Sequence, residues 1–494
     1  MDSIFPSLSE LRRLSQQGNL IPVYKEILAD LETPVSVYQR VAAGEKYSFL
    51  LESVEGGEQV ARYSFIGVRP FLIFRSRKDT VTLTGEIQKI QKGDPLTLLR
   101  EIFKAYKSVP IPELPRLTAG AVGYFAYDAV RLWEKIPESA HPDLDLDDIY
   151  FGFYDAMIIF DNRKHKIKIV SSVLTARGPL GKQYERSVKT IHFLERLIRK
   201  PRQITVKKKG KASGPVRFVS NFSNGEYQKT VEKCKDYIRA GDIFQIVPSQ
   251  RFSGKIKINP LDIYRMLRIV NPSPYNFYIQ YNDLAMAGSS PEQLVRVEDG
   301  WVETRPLAGT RRRGKTPEED LALEKELLTD EKERAEHIML VDLGRNDLGR
   351  VCEYGTVLPQ QMMFIERYSH VMHIVSSLRG KLRQDKDSFD ALMACFPAGT
   401  LTGAPKIRAM EIINEVEPQS RGVYGGAVGY LDFSGNLDSC IVIRTILINK
   451  GKVYIQAGAG IVADSGPENE YQETLNKAQA LFKAVHLAQQ ENFG

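Results

Sequence analysis

Apolar positions change their spacing repeatedly along this 494-residue chain, and the changes predict short strands alternating with helices. Leu8, Leu11 and Leu14 recur at helical spacing and predict a helix over 7–14. Four β-rich runs follow at 47–51, 63–66, 71–74 and 80–83, each closed by Gly, Pro or charged turns, as sheet strands are. A helix is expected over 95–106 and strands at 120–124 and 156–160, the latter pairing with 166–170 across Asp161-Asn162. Tyr184, Val188, Ile191, Leu194 and Ile198 mark a helix over 184–199. Further on, helices are expected at 227–240, 330–340 and 406–416. Strands are expected at 243–247, 440–448 and 453–456, and 343–350 reads as a helix end and loop. Gly-Ala-Val-Gly-Tyr occurs twice, at 120–124 and 426–430. Either the chain holds two related halves, or tight strand packing demands small residues twice.

Length alone argues for about three domains and a large buried core. The basic run Lys207, Lys208, Lys209, Lys211 places a linker at 207–215, between an N-terminal region 1–206 and a C-terminal region 216–494. Much of the net charge of +7 is local to that run, and no aromatic ladder accompanies it, so no nucleic-acid partner is expected. A basic surface still helps draw in an anionic small substrate. The four cysteines, Cys234, Cys352, Cys395 and Cys440, are scattered without metal-site spacing, as reduced thiols of a cytoplasmic protein are. No signal-peptide pattern and no run of 18 apolar residues appear, so no membrane span is expected.

Two glutamate pairs change the picture. Glu333 and Glu336, and again Glu470 and Glu473, stand three residues apart, so helices would put each pair on one face. Ser465, Pro467 and Glu468 form a capping-box start for the second helix. An isolated pair reads equally well as solvated helix surface. Four converging carboxylates would need protons or a cation, and oxygen-only ligands suit Mg²⁺. The glycine-rich stretches 399–406 and 458–460 offer backbone to an anionic ligand. The first is not a P-loop, because Pro405 precedes Lys406 and Ile407 follows it.

The segments EHIMLVDLGRNDLGRV, PLAGTRRRG, GTLTGAPKIRAMEII, GGAVGYLDFSG and IQAGAGIVADSGPENEYQET resemble the chorismate-utilising enzymes. Within them the resemblance is to the component I (large-subunit) anthranilate synthases. Leu50-Leu51-Glu52-Ser53 and Asn271-Pro272-Ser273-Pro274-Tyr275 match that pattern too, so the resemblance spans nearly the whole chain. It implies an α/β (α+β) fold of two large, mostly antiparallel sheets in a sandwich-like core with helices outside. The N- and C-terminal portions would intertwine around one cleft. It also implies Mg²⁺-dependent amination of chorismate at C2 by ammonia, then loss of pyruvate to give anthranilate, the first step of tryptophan biosynthesis. The alternative within the superfamily is aminodeoxychorismate synthesis.

The resemblance assigns roles. Glu336 and Glu473 would bind Mg²⁺ directly, and Glu333 and Glu470 through water. Glu292 would be the general acid that protonates the departing C4 hydroxyl, with its pKa raised by neighbouring carboxylates. Arg444, Gly458, Ala459, Gly460 and Lys477 would hold the enolpyruvyl carboxylate. Gly309, Thr310, Thr400 and Tyr424 would position the ring. His373, with an unshifted imidazole, would serve the elimination; His370 nearby is not taken as a metal ligand. Hydroxyl-transferring relatives carry lysine where this chain has Gln245, and aminodeoxychorismate synthases commonly carry lysine where it has Ala308. Both positions favour amination at C2. No Gly-x-Cys-x-Gly nucleophile elbow is present, so a separate glutamine amidotransferase subunit would supply ammonia. Leu51, Glu52, Ser53, Asn271, Pro272, Ser273, Pro274 and Tyr275 would form a tryptophan inhibitor pocket. Asn276, where many relatives have methionine, is expected to loosen packing around the indole.

Overall fold

Two twelve-stranded sheets dominate the computed structural model, which describes residues 3–53, 62–137, 142–201, 214–368 and 371–490. Residues 207–213 of the expected linker, and His370, lie outside these. Each sheet is built from both ends of the chain. In the first, Tyr47–Glu52 pairs with Tyr275–Tyr281, Leu51 opposite Phe277. In the second, Gly120–Phe125 pairs with Ala427–Asp432. Both junctions are antiparallel, as are the other strand pairings of the two sheets.

The second junction resolves the Gly-Ala-Val-Gly-Tyr repeat. Its two copies are neighbours in one sheet, with Gly123 opposite Gly429, and not two related halves. A Cβ on Gly123 would come 2.0 Å from the Tyr150 carbonyl oxygen, and one on Gly429 would come 2.2 Å from that of Asp438. Tight strand packing accounts for both glycines.

The sheets face each other across Phe49, Val122, Tyr124, Tyr154, Phe277, Met286, Val428 and Leu447. Their outer faces are covered by helices. Pro34–Val41, Leu180–Ile198, Pro260–Val270 and Pro467–Gln490 cover the first. Pro95–Lys104, Ser388–Cys395 and Glu331–Gly349 contribute to the cluster on the second. Burying a large apolar side chain contributes about 1.5–3 kcal/mol, so the three layers of core carry most of the stability. All four cysteines are buried and unbridged. Among the described residues no helix is long and apolar enough to cross a membrane.

Several boundaries depart from the sequence pattern for local reasons. The expected helix 330–340 runs on as Glu331–Gly349, because Leu340, Val341 and Leu348 remain buried at helical spacing. Asp330 caps it by accepting the Glu333 N–H at 3.1 Å. The expected strand 243–247 shrinks to Gln245–Ile246, paired with Gly403–Ala404. The expected strand 440–448 is two strands, Leu437–Ile441 in the second sheet and Thr445–Asn449 in the first. Arg444 turns the chain between them at φ 49°. The capping box expected at 465–468 does not form. Ser465 Oγ accepts the Val462 N–H at 3.1 Å, and Glu468 instead takes Gln228 at 2.7 Å.

Candidate active site

Two of the short passages of the chain from one sheet to the other carry a candidate site residue. Leu284–Ser290 belongs to the first sheet and Gln293–Glu298 to the second, so Glu292 lies on one crossover. Arg444 lies on the other. The crossovers are bonded into the adjoining chain: Ile441 N–H donates to the Glu292 carbonyl at 3.0 Å, and Ser289 N–H to the Arg444 carbonyl at 3.1 Å.

Glu292 is 8% exposed. Burial pushes its carboxyl up to about 7, opposed by the Thr400 hydroxyl and the Lys477 charge. Thr400 Oγ1 donates to Oε1 at 2.9 Å. The expected cause, crowding by other carboxylates, is therefore corrected: removal from water raises this acid.

The two glutamate pairs meet electrostatically. Burial raises the Glu336 pKa, and the charges of Glu333 and Glu473 raise it further. Glu470 is raised by burial, with Glu473 adding and the Ser465 hydroxyl opposing. Each pair also has local partners. Gln245 Nε2 donates to Glu336 Oε1 at 3.4 Å, Arg311 Nη1 to Glu333 Oε1 at 3.0 Å, and Lys477 Nζ lies 2.5 Å from Glu473 Oε1. Among the described residues, no three acidic, histidine or cysteine side chains are drawn close enough to hold a metal. The donor chemistry nonetheless fits a hard divalent cation: four carboxylates on two helices, linked by mutual repulsion, with no thiol or imidazole among them.

Beside Glu473 the glycine-rich turn comes close. A Cβ on Gly458 would lie 3.1 Å from Tyr424 Oη, and one on Gly460 would lie 3.0 Å from Gln245 Nε2. Lys477 Nζ donates to the Gly458 carbonyl at 3.1 Å, and Arg444 Nη1 to the Lys477 carbonyl at 2.5 Å. Burial lowers the Arg444 pKa, while Tyr424 and Glu473 oppose that. Ala459 offers no free backbone donor, because its N–H donates to the Pro248 carbonyl at 3.2 Å.

His373 lies in Val371–Lys381, opposite Thr310 of Leu307–Arg312. Gly309, at φ 68°, sits in a bulge there. Its carbonyl lies 3.0 Å from His373 Nδ1, as does Thr310 Oγ1. A carbonyl only accepts, so Nδ1 carries the proton and Nε2 the lone pair. Burial lowers the His373 pKa, with the nearby Arg444 charge adding, so the unshifted imidazole expected from sequence is corrected. Tyr368 packs edge-on against the ring at 5.6 Å.

Leu51, Glu52, Ser53, Pro274 and Tyr275 line a cavity of about 1420 Å³ bordered by both sheets. Asn271, Pro272 and Ser273 are not part of that lining. Asn271 instead donates to the Ser289 carbonyl at 3.2 Å. The Glu52 carboxylate is held by Arg268 at 3.1 Å and by the Tyr264 hydroxyl. Asn276 Nδ2 donates to the Ser273 carbonyl at 2.7 Å, which pins the Pro272-Ser273-Pro274 turn.

Three residues escaped the sequence reading. Arg311 pairs with Glu333, Glu326 and Asp330, yet three consecutive arginines look like a solvated charge run. His337 and Tyr368 carried no signal of their own.

This fold and this constellation define a chorismate-binding enzyme, and the model of that family matches residues 47–483. The chain belongs to the anthranilate synthase component 1 branch of that family, and anthranilate synthase is its enzyme class. It is 50% identical over 490 residues to anthranilate synthase component 1 of Acetivibrio thermocellus, covering 98% of this chain and 99% of that protein. It is 46% identical over 486 residues to the Aquifex aeolicus (strain VF5) protein of the same name, covering 98% of each. The crystal structure of anthranilate synthase component I from Streptococcus pneumoniae TIGR4 superposes with a TM-score of 0.78 at 38% identity, over 92% of this chain and 99% of that one.

Proposed function

We propose that the chain aminates chorismate at C2 with ammonia and then eliminates pyruvate to leave anthranilate, as the first step of tryptophan biosynthesis in the cytoplasm. The observation that carries this reading is Glu292, a buried carboxyl with a pKa of about 7 beside Thr400. A hydroxide leaves poorly unless protonated. As the ammonia nitrogen bonds to C2, the two conjugated ring double bonds shift toward C4, the C4 hydroxyl departs as water with the Glu292 proton, and the new ammonium gives up a proton to solvent. The Thr400 hydroxyl and the Lys477 charge then stabilise the carboxylate left behind.

Arg444, Lys477 and the backbone at Gly458 and Gly460 receive the enolpyruvyl carboxylate. Glu336 and Glu473 would hold Mg²⁺, with Glu333 and Glu470 acting through water; bound Mg²⁺ would supply positive charge for the ring carboxylate and offset the glutamates. Tyr424 and Thr310 flank the ring. Gln245 contributes no base, and ammonia needs none. In the second step His373, neutral and with its lone pair on Nε2, takes the C2 proton. The electrons of that C–H bond aromatise the ring as the C3–O bond breaks and pyruvate leaves.

Residues 216–494 would carry this chemistry and 1–206 much of its control. A separate glutamine amidotransferase subunit supplies the ammonia; the relatives' name, component 1, supports a complex of several parts. Tryptophan occupies the cavity beside Ser53 and Tyr275 and inhibits the enzyme.

The test is Glu292→Gln, assayed with chorismate, Mg²⁺ and ammonium while anthranilate fluorescence and pyruvate are followed together. Both products are expected to fall at least a hundredfold with chorismate binding retained. Parental turnover in this variant would remove Glu292 from the mechanism.

A further inference from the structure

The helix that carries Glu333 and Glu336 meets the strand that carries His373 through a polar contact set in apolar surroundings. Glu331–Gly349 packs on Val371–Lys381, and Leu340, Val341, Ile374 and Leu378 are buried along that seam. There His337 Nε2 lies 2.6 Å from Ser376 Oγ, and both residues are 0% exposed. The Met363 N–H donates to the same Oγ at 3.0 Å. His337 Nδ1 has no partner among the described residues. Seven residues on, Gly344 returns to the same face of the helix. A Cβ there would come 2.9 Å from Leu378 Cδ1, two residues past Ser376 on the same face of the strand.

Stability does not explain this pair. Replacing both partners of a buried polar contact with apolar groups of the same shape is nearly neutral, and here one imidazole nitrogen is also left unpaired. A directional bond adds position instead. The helix slides 1.5 Å for each residue of slippage, while Mg²⁺ demands near-ideal octahedral geometry. Glu336 is the immediate neighbour of His337. His373 stands three residues before Ser376, on the opposite face of the strand.

We infer that the His337–Ser376 bond is a positioning contact: it fixes the height of the glutamate-bearing helix on the His373 strand, so that the metal ligands and His373 address one substrate. The inference rests on the proposed binding of Mg²⁺ by Glu336. Ser376→Ala leaves the helix its apolar seam and removes its register.

The experiment is calorimetric titration of Mg²⁺ with chorismate present, beside thermal melting of the metal-free protein. Ser376→Ala is expected to stay folded but melt below the parent, because it strands His337 Nε2 and the Met363 N–H, and to bind Mg²⁺ about tenfold to a hundredfold more weakly, as when groups that orient a metal ligand are lost. His337→Gln keeps a side chain able to meet the hydroxyl and is expected to regain most of that affinity. Should Ser376→Ala fold poorly, the double variant His337→Phe/Ser376→Ala, which no longer buries an unpaired imidazole, gives the same reading. Weakened Mg²⁺ binding in it supports the positioning role, and parental affinity overturns it. Glu336→Gln separates the two levels. Lost Mg²⁺ binding there with parental affinity in Ser376→Ala sinks only the positioning role; parental affinity in Glu336→Gln sinks the metal reading beneath it.

Discussion

Glu292 and Glu52 are both buried, and burial raises the pKa of both, yet they belong to regions with opposite logic. Glu52, at the inter-sheet cavity, is neutralised on the spot by the Arg268 guanidinium and the Tyr264 hydroxyl. Glu292, on a sheet crossover, has the Thr400 hydroxyl for its only close side-chain partner among the described residues, with Lys477 acting through space. A neutralised carboxylate holds shape; an un-neutralised one holds a proton. The same contrast divides the regions at large. The cleft crowds four like charges together at Glu333, Glu336, Glu470 and Glu473, of which Glu333 and Glu473 also meet Arg311 and Lys477, whereas charges lining the cavity stand in opposite-charge pairs such as Arg305 with Glu366 and Arg116 with Asp299. Crowded charge in the first region marks a place for ligands; paired charge in the second marks walls.

The strongest challenge to that contrast is removal of crowded charge. Glu336→Gln or Glu473→Gln is expected to lower activity by a hundredfold or more while the fold persists. Relief of repulsion should leave the metal-free protein as stable or more so. Melting curves showing clear destabilisation would mean that these carboxylates are structural after all.

Next in size is His373→Met. Chorismate consumption should fall less than anthranilate formation, and the aminated, non-aromatic intermediate should accumulate in quenched reactions analysed by chromatography. A parallel fall with no intermediate would assign His373 to both steps or neither.

The proton on Glu292 gives a third, pH-dependent effect. Its folded pKa of about 7 lies above that of an unfolded glutamate, near 4.3. The protonated form stabilises the fold at pH below about 4.3, and that contribution is lost as pH rises through about 7. A shift of this size corresponds to on the order of 3 kcal/mol. Relative to the parent, Glu292→Gln should therefore gain stability between pH 5 and pH 8, read from denaturant midpoints. A constant difference across that range would show that Glu292 titrates as an ordinary glutamate. Activity of the parent should decline above pH 7 as the acid loses its proton.

The smallest effect on basal turnover is expected at the cavity. Ser53→Phe should abolish tryptophan inhibition with the uninhibited rate within about twofold, since Ser53 has no part in the proposed chemistry. Tryptophan binding by calorimetry checks it, and linkage requires chorismate to weaken tryptophan by the factor that tryptophan weakens chorismate. Equal tryptophan affinity in parent and variant would move the inhibitor site elsewhere.

What could be read in advance was what depends on local spacing. The glutamate pairs, the small residues at 458–460 and most strand positions follow from periods of 3.6 and 2. Sheet membership does not. Leu437–Ile441 and Thr445–Asn449 look like one strand because alternation continues across Arg444, and only pairing partners far along the chain divide them. For the same reason nothing near Glu292 betrayed a crossover, and burial, the true source of its raised pKa, was mistaken for carboxylate crowding. The helix expected over 330–340 runs on past Gly344 to Gly349 for a different reason. Gly344 serves close approach to Leu378, and a stop signal and a packing signal are spelled with the same residue.

The interleaving of the two ends has a consequence for how the chain is made. Tyr47–Glu52 leaves the ribosome long before Tyr275–Tyr281, the strand that covers its far edge. At 5–20 residues per second, synthesis of the intervening stretch takes roughly 10–45 s. During that time a strand rich in Phe and Leu presents open hydrogen-bonding groups to any passing β-segment. Gly120–Phe125 waits longer still for Ala427–Asp432. Newborn chains of this protein should therefore depend on holding chaperones more than their finished stability would suggest, and truncated chains ending before residue 275 should aggregate rather than fold.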